Sequence, residues 1–252
     1  MIVVRTMTLA DLPLAMRLKS QAGWNQLEAD WRRFLDMQPD GCFVAECAGV
    51  AVATTVACVF DRVAWLAMVL VDAAYRGRGI GAAIVRHALE FLDRAGVRTV
   101  RLDATPLGQP LYEKLGFQAE YTLVRYEGVL PEPIPSAEWG AAAHLRCAQV
   151  QDYRALYAFD RSVVATDRGR FLARLFQERP GDMCWIEREG SVYGYATVRA
   201  GSNAVQLGPC VATSACGAAL LLDAASRHVG ERAIIDIPER HVPSVQLARS
   251  LG

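Results

Sequence analysis

MVLVDAAYRGRGIGAAIVRHALEFLDR, residues 68–94, runs from an apolar strand through a glycine turn straight into an amphipathic segment. Ile80, Ile84, Ala88, Leu89 and Leu92 recur at near-helical spacing, Arg86, Glu90, Asp93 and Arg94 take the other side, and Gly96 stands where a left-handed stop ends a helix. One face of that helix must pack on a sheet. Gly77, Gly79 and Gly81 leave the backbone N–H groups of residues 77–82 free of covering side chains, and the unpaired donors of the first helical turn point the same way. The combination is an anion cradle, to which the helix dipole and the guanidinium of Arg76 or Arg78 add attraction for a phosphate.

Three kinds of phosphate-binding loop compete for these residues. A P-loop needs Lys and then Ser or Thr after its last glycine, and Ala82-Ala83 stand there instead. A dinucleotide fingerprint fits better, because Gly77-x-Gly79-x-x-Ala82 follows a strand, opens a helix and precedes a second strand, Thr99–Leu102, that ends on Asp103. Its strand should run directly into the first glycine, however, and Asp72 to Arg76 intervene. A dinucleotide-binding oxidoreductase is therefore the less favoured alternative. Arg76-Gly77-Arg78-Gly79-Ile80-Gly81 resembles the Arg/Gln-x-x-Gly-x-Gly/Ala pyrophosphate loop of the GNAT superfamily of N-acetyltransferases, and Leu111-Tyr112-Glu113-Lys114-Leu115-Gly116-Phe117 downstream resembles the segment that closes that family's active site. The two motifs stand in the family's order at the family's separation.

The resemblance implies an α/β fold on a mixed sheet, the acyl-CoA N-acyltransferase fold, with acetyl-CoA as co-substrate. It implies main-chain contacts to the pantetheine arm from Val69, Leu70 and Val71, and pyrophosphate contacts from Arg76, Gly77, Arg78, Gly79, Ile80, Gly81 and Ala82. Thr105 stands where the family often has an Asn facing the CoA arm. Tyr112, with a reference pKa of about 10, is the expected proton donor to the departing thiolate. Glu46 and Asp103 are carboxylates at strand positions near the expected cleft and are candidates for a general base, although each also fits as an ordinary strand-edge carboxylate. In GNAT-like domains the first helix–loop–helix forms one wall of the acceptor cleft, which marks Trp24 and Asn25 as acceptor contacts; taken alone, Trp24 is as good a core anchor. The acceptor class is a small-molecule or peptide amine. A non-catalytic acyl-CoA-binding protein is a further alternative, one that would keep residues 76–81 and tolerate loss of Tyr112.

Composition narrows the partners. The chain has 252 residues, enough for one large domain or two of ordinary size, and 52% are hydrophobic without any run long enough to cross a bilayer. A formal charge of +0 offers no electrostatic case for nucleic acid or an anionic membrane. MIVVRTMTLADL lacks the pattern of a secretory signal, so a cytoplasmic location is expected. The seven cysteines are odd in number, include no Cys-x-x-Cys and mostly sit in strand-like runs, which suits buried free thiols; the four histidines show no ligand spacing, and no metal is expected.

In chain order, the sequence predicts a strand at residues 2–6, a helix from Thr8 through Leu18, a second helix around Glu28–Met37, and a meander Cys42–Cys47, Gly49–Phe60 and Val63–Val71. Strand Thr99–Leu102, a short helix holding Tyr112 and strands within Phe117–Glu127 follow the long helix. Three alternate prolines near Pro131–Pro135 suit a stiff linker, and beyond it the chain begins again: Arg5, Asp11 and Gly49 recur as Arg146, Asp152 and Gly190, all displaced by 141. The expected organisation is an N-terminal domain at 1–128, a linker at 129–143 and a diverged C-terminal copy at 144–252. In that copy Cys216-Gly217-Ala218-Ala219-Leu220-Leu221 is expected to replace the cradle, with bulky side chains over the amides, and Ala248 replaces Tyr112. The chain reaches Gly252 before any counterpart of Phe117–Glu127, so the second copy is either truncated or left with an open sheet edge.

Overall fold

The computed structural model describes residues 1–132, 143–213 and 216–251. Most of the expected linker, residues 133–142, lies outside the described residues, as does Gly252. Contacts divide the chain into Met1–Gln118 and Ala119–Gly252.

The first unit holds a five-stranded sheet of β1 (Ile2–Thr6), β2 (Cys42–Cys47), β3 (Val50–Phe60), β4 (Val63–Val71) and β5 (Thr99–Arg101), in that order. Neighbours are antiparallel except β4 and β5, which are parallel and joined through α3 (Ile80–Arg94). Helices α1 (Leu12–Gln21) and α2 (Glu28–Met37) precede β2, and α4 (Gln109–Lys114) follows β5. β3 is buried without interruption from Val52 to Cys58, so helices must cover both its faces. α3 supplies Ile80, Ile84, Val85, Ala88 and Leu92, each at most 2% exposed, to a core with Phe43, Ala53, Ala57 and Leu66. Burying each of its larger residues stabilises the unit by about 2 kcal/mol, which is what fixes the glycine turn against the end of β4.

The second unit repeats the plan. β7 (Ala143–Cys147), α5 (Tyr153–Val164), α6 (Gly169–Glu178), β8 (Cys184–Arg188), β9 (Ser191–Arg199), β10 (Val205–Ala212), α7 (Cys216–Ser226), β11 (Arg232–Pro238) and α8 (Val242–Ser250) follow in the same succession. Its sheet has six strands in the order β6-β11-β10-β9-β8-β7, where β6 is Leu123–Val129. Leu156, Leu172 and Phe176 of α5 and α6 pack with Trp185 and Tyr195, and Leu220 and Ala224 of α7 pack with Ile186 and Val198.

Strand β6 corrects two expectations. The sequence places it in the N-terminal domain, with a boundary at 128, and leaves the second copy either truncated or with an open sheet edge; the strand instead pairs antiparallel with β11 along seven positions, Leu123↔Pro238 to Val129↔Arg232, and fills that edge. Length and cross-strand ion pairs both favour β11. Arg125 lies opposite Asp236 with its Nε and Nη2 donating to both carboxylate oxygens at 2.8 Å, and Glu127 bonds Arg232. β5, three residues long, offers no such match. Cys42, Cys58 and Cys184 are buried, Cys47, Cys210 and Cys216 half-buried and Cys147 exposed, all as free thiols. Among the described residues no helix is long and apolar enough to cross a membrane.

Candidate active site

β4 sets the geometry. It pairs with β5 only at Val63–Trp65, so from Leu66 to Val71 its second edge has no strand beside it among the described residues. The N–H of Asp72 donates to Val52 O at 2.8 Å on the β3 side. Antiparallel alternation therefore turns the N–H and C=O of Val71 toward the open edge, and those of Val69 with them. The Val71 carbonyl there accepts a bond from Arg76 Nε at 3.1 Å. Between Leu70 and Ala67 the strand carries a bulge: Thr54 faces Leu70 and Val56 faces Ala67, leaving Met68 and Val69 opposite Thr55 alone. Met68 sits at φ +55°.

The open edge leads into the turn of residues 72–79. Gly77 and Gly79 have φ of +74° and +78°, and a Cβ on either would meet nothing within 4 Å. Gly79 is the N-cap of α3 without a side-chain cap, and the first backbone bond of the helix runs from Ala83 N to Gly79 O at 3.0 Å. The amides of Ile80, Gly81 and Ala82 therefore retain no helical acceptor. Arg78 lies 5.0 Å above the Tyr75 ring and bonds Ala74 O, and among the described residues neither Arg76 nor Arg78 has a carboxylate partner. Two guanidiniums that bond only backbone carbonyls, beside bare amides, fit a diphosphate. The turn is itself anchored to α1, because Arg17 pairs with the buried carboxylate of Asp72 and Gln21 Oε1 accepts from Ala73 N at 3.4 Å. Arg17 holds the Asp72 carboxyl below its ordinary range.

Tyr112 of α4 is 9% exposed and packs edge-on to Phe117 at 5.8 Å. Gly108 makes room for the ring, since a Cβ there would lie 3.1 Å from Tyr112 Cε2. Burial pushes the phenol up to about 12, so it stays protonated at neutral pH. Among the described residues nothing bonds its hydroxyl, which leaves a proton donor without a structural assignment. Gly81 approaches Leu111 of the same helix, which joins cradle and tyrosine: a Cβ at Gly81 would lie 3.3 Å from Leu111 Cδ2.

Glu46 accepts Arg5 Nε at 2.7 Å, and Arg5 also holds the 8%-exposed Asp11 at 2.8 Å. The second unit repeats this contact as Arg146–Glu187 at 2.5 Å, so the pair belongs to the fold that both units share. Asp103 is exposed on the loop after β5. Thr105 caps the α4 turn, its Oγ1 accepting Gly108 N at 3.3 Å and its carbonyl accepting Gln109 N at 2.9 Å, and its hydroxyl keeps a proton to donate. Trp24 is half-buried and Asn25 buried between α1 and α2, directly beyond the end of α1 that holds the turn.

In the second unit the expected replacement of the cradle is corrected. α7 begins at Cys216, and Leu220 and Leu221 are buried within it rather than laid over amides. What is lost is the loop: three residues, 213–215, separate β10 from α7, against eight, 72–79, between β4 and α3. Residues 214 and 215 lie outside the described residues. The His241 ring stands 3.3 Å from where a Cβ on Gly217 would be, against the first turn of α7. β10 keeps the bulge, but Gly208 and Pro209 occupy it, and proline has no N–H to offer. α8, which follows β11 as α4 follows β5, carries no tyrosine.

Residues 12–117 match the Acetyltransferase (GNAT) family and residues 156–252 match a second Acetyltransferase (GNAT) domain. The N-acetyltransferase YitH of Bacillus subtilis (strain 168), itself uncharacterized, is 27% identical over 234 residues, covering 90% of this chain and 78% of that protein. An acetyltransferase-like protein of Pyrococcus horikoshii superposes with a TM-score of 0.78 at 26% identity, over 98% of this chain and 83% of the other. A tandem GNAT protein from the clavulanic acid biosynthesis pathway shares the fold at a TM-score of 0.68 and 16% identity, over 100% of this chain and 94% of its own.

Proposed function

The chain belongs to the GNAT acetyltransferase family as a tandem of two such domains, and from that premise we propose that the first domain is an acetyl-CoA-dependent N-acetyltransferase and the second a non-catalytic copy. One observation carries the assignment: the first unit has an unpaired strand edge running into a bare glycine turn, and the second has lost the turn, the bulge amide and the tyrosine together.

Acetyl-CoA supplies a thioester whose carbonyl carbon takes the amine, forming a C–N bond as the C–S bond breaks. The amides of Ile80, Gly81 and Ala82, with Arg76 and Arg78, hold the diphosphate. The N–H groups of Val69 and Val71 face the edge along which the acyl arm would lie and are placed to receive charge developing on the carbonyl oxygen. Tyr112 delivers its proton to the sulfur. The amine must shed one proton, and Glu46 is unsuited to take it because Arg5 already binds its carboxylate. Water is the relay for that proton, and Asp103, exposed on the loop after β5, is a candidate to receive it. Trp24 and Asn25 line the acceptor side, and the acceptor is an amine of small-molecule or peptide origin.

Thermal shift with acetyl-CoA and with NADPH, together with CoA release against a panel of small amines and peptide N-termini, tests the proposal. Stabilisation by acetyl-CoA and amine-dependent thiol release are expected. Protection by NADPH alone would replace it with the dinucleotide reading, and acetyl-CoA binding without turnover on any amine would leave a binding protein.

A further inference from the structure

We propose that Thr54 is a positioning residue for acyl transfer: its hydroxyl holds the β4 bulge in the conformation that presents the Val69 and Val71 amides at the open edge. The inference rests on the first domain being the transferase.

Thr54 is 0% exposed in the middle of β3, where an apolar residue would bury at lower cost. Its Oγ1 donates to Met68 O at 2.9 Å, across the strand pair and into the bulge. Met68 has φ +55°, a left-handed conformation that strains a side-chain-bearing residue and persists only where its surroundings hold it. The bond to its carbonyl is such a restraint, and Thr55 adds a longer one, Oγ1 to Ala67 O at 3.4 Å. Without it, β4 has a route back toward regular pairing, which turns alternate residues over and moves the amides of Val69 and Val71 relative to the edge.

The second unit is an internal control. Its bulge holds Pro209, which presents no N–H, and the restraint has gone as well. Ala196 faces Cys210 just beyond the bulge, as Thr54 faces Leu70, and has no hydroxyl; Thr197, opposite the bulge as Thr55 is, keeps a buried hydroxyl that bonds nothing among the described residues. Tyr195, at the repeat offset from Thr54 in the sequence, sends its hydroxyl to Asp160 Oδ1 at 2.6 Å on α5. Buried Asp160 is held in turn by Arg168. Where the amide has no task, the clamp is absent too.

Thr54→Val removes the donor at nearly constant volume, and Thr54→Ser restores it. With the amine giving the fastest CoA release, Thr54→Val is expected to lower kcat at least tenfold while the acetyl-CoA Kd stays within twofold, and Thr54→Ser is expected to recover most of the rate. Amide exchange at residues 67–71 should quicken in Thr54→Val and not in Thr54→Ser. If Thr54→Val does not fold, Thr54→Cys, with a weaker donor, takes its place. An active wild type whose kcat is unchanged by Thr54→Val, or a serine variant as slow as the valine variant, overturns the role of Thr54 alone. A wild type that neither binds acetyl-CoA nor releases CoA overturns the transferase reading and this inference with it.

Discussion

Replacing Gly79 with alanine separates backbone strain from ligand contact. At φ +78° the new side chain is strained by about 1 kcal/mol, and because its Cβ would meet nothing within 4 Å there is no clash to add. That strain lowers the melting temperature of the unit by about 4 °C. The methyl group also stands in front of the Ile80 amide, and a bound phosphate oxygen would lose a charge-assisted hydrogen bond of about 1.5–3 kcal/mol, weakening acetyl-CoA about 10- to 100-fold. Gly96 provides the matched control at the far end of the same helix: its φ is +74° and a Cβ there also meets nothing within 4 Å. Gly96→Ala should lose as much stability and bind acetyl-CoA as the wild type does. Calorimetric titration with acetyl-CoA and CoA, alongside melting curves, measures both terms. Equal affinities for the two variants would refute the cradle, whatever their stabilities.

Tyr112→Phe is expected to melt within about 2 °C of the wild type, because no partner of the hydroxyl is orphaned, while kcat falls about 100-fold; since burial pushes the phenol up to about 12, the wild-type kcat should show no decline from this group below about pH 10. Glu46→Gln is expected to leave kcat unchanged and to cost under about 1 kcal/mol in urea unfolding, because the Arg5 pair is partly exposed. Asp11 tests the electrostatics. The hydrogen bond from Arg5 lowers its carboxyl pKa, so it contributes stability that is full above about pH 4 and disappears as pH falls through the lower folded value. Urea midpoints from about pH 5 to pH 2 should therefore fall less for Asp11→Asn than for the wild type.

Local chemistry wrote much of this protein into its sequence. The period of Ile80, Ile84, Ala88 and Leu92 specifies an α3 that the core confirms, and the meander, the glycine turn with both left-handed glycines and the duplication are legible because each depends on neighbours in the chain. Thr54-Thr55 within the apolar run Val50–Phe60 was a visible signal too, since buried hydroxyls need partners, but its meaning depends on Met68, fourteen positions on. Only the tertiary structure decided where β6 pairs, because the strand that offers it seven paired positions and an ion pair to Asp236 lies 111 positions from Arg125 in the chain. It likewise decided that Glu46 is bound by Arg5 and that the second copy lacks a loop rather than carrying bulky residues over its amides. A residue's chemical freedom is set by groups that the fold brings to it from distant positions, and no local pattern of residues encodes which groups those are.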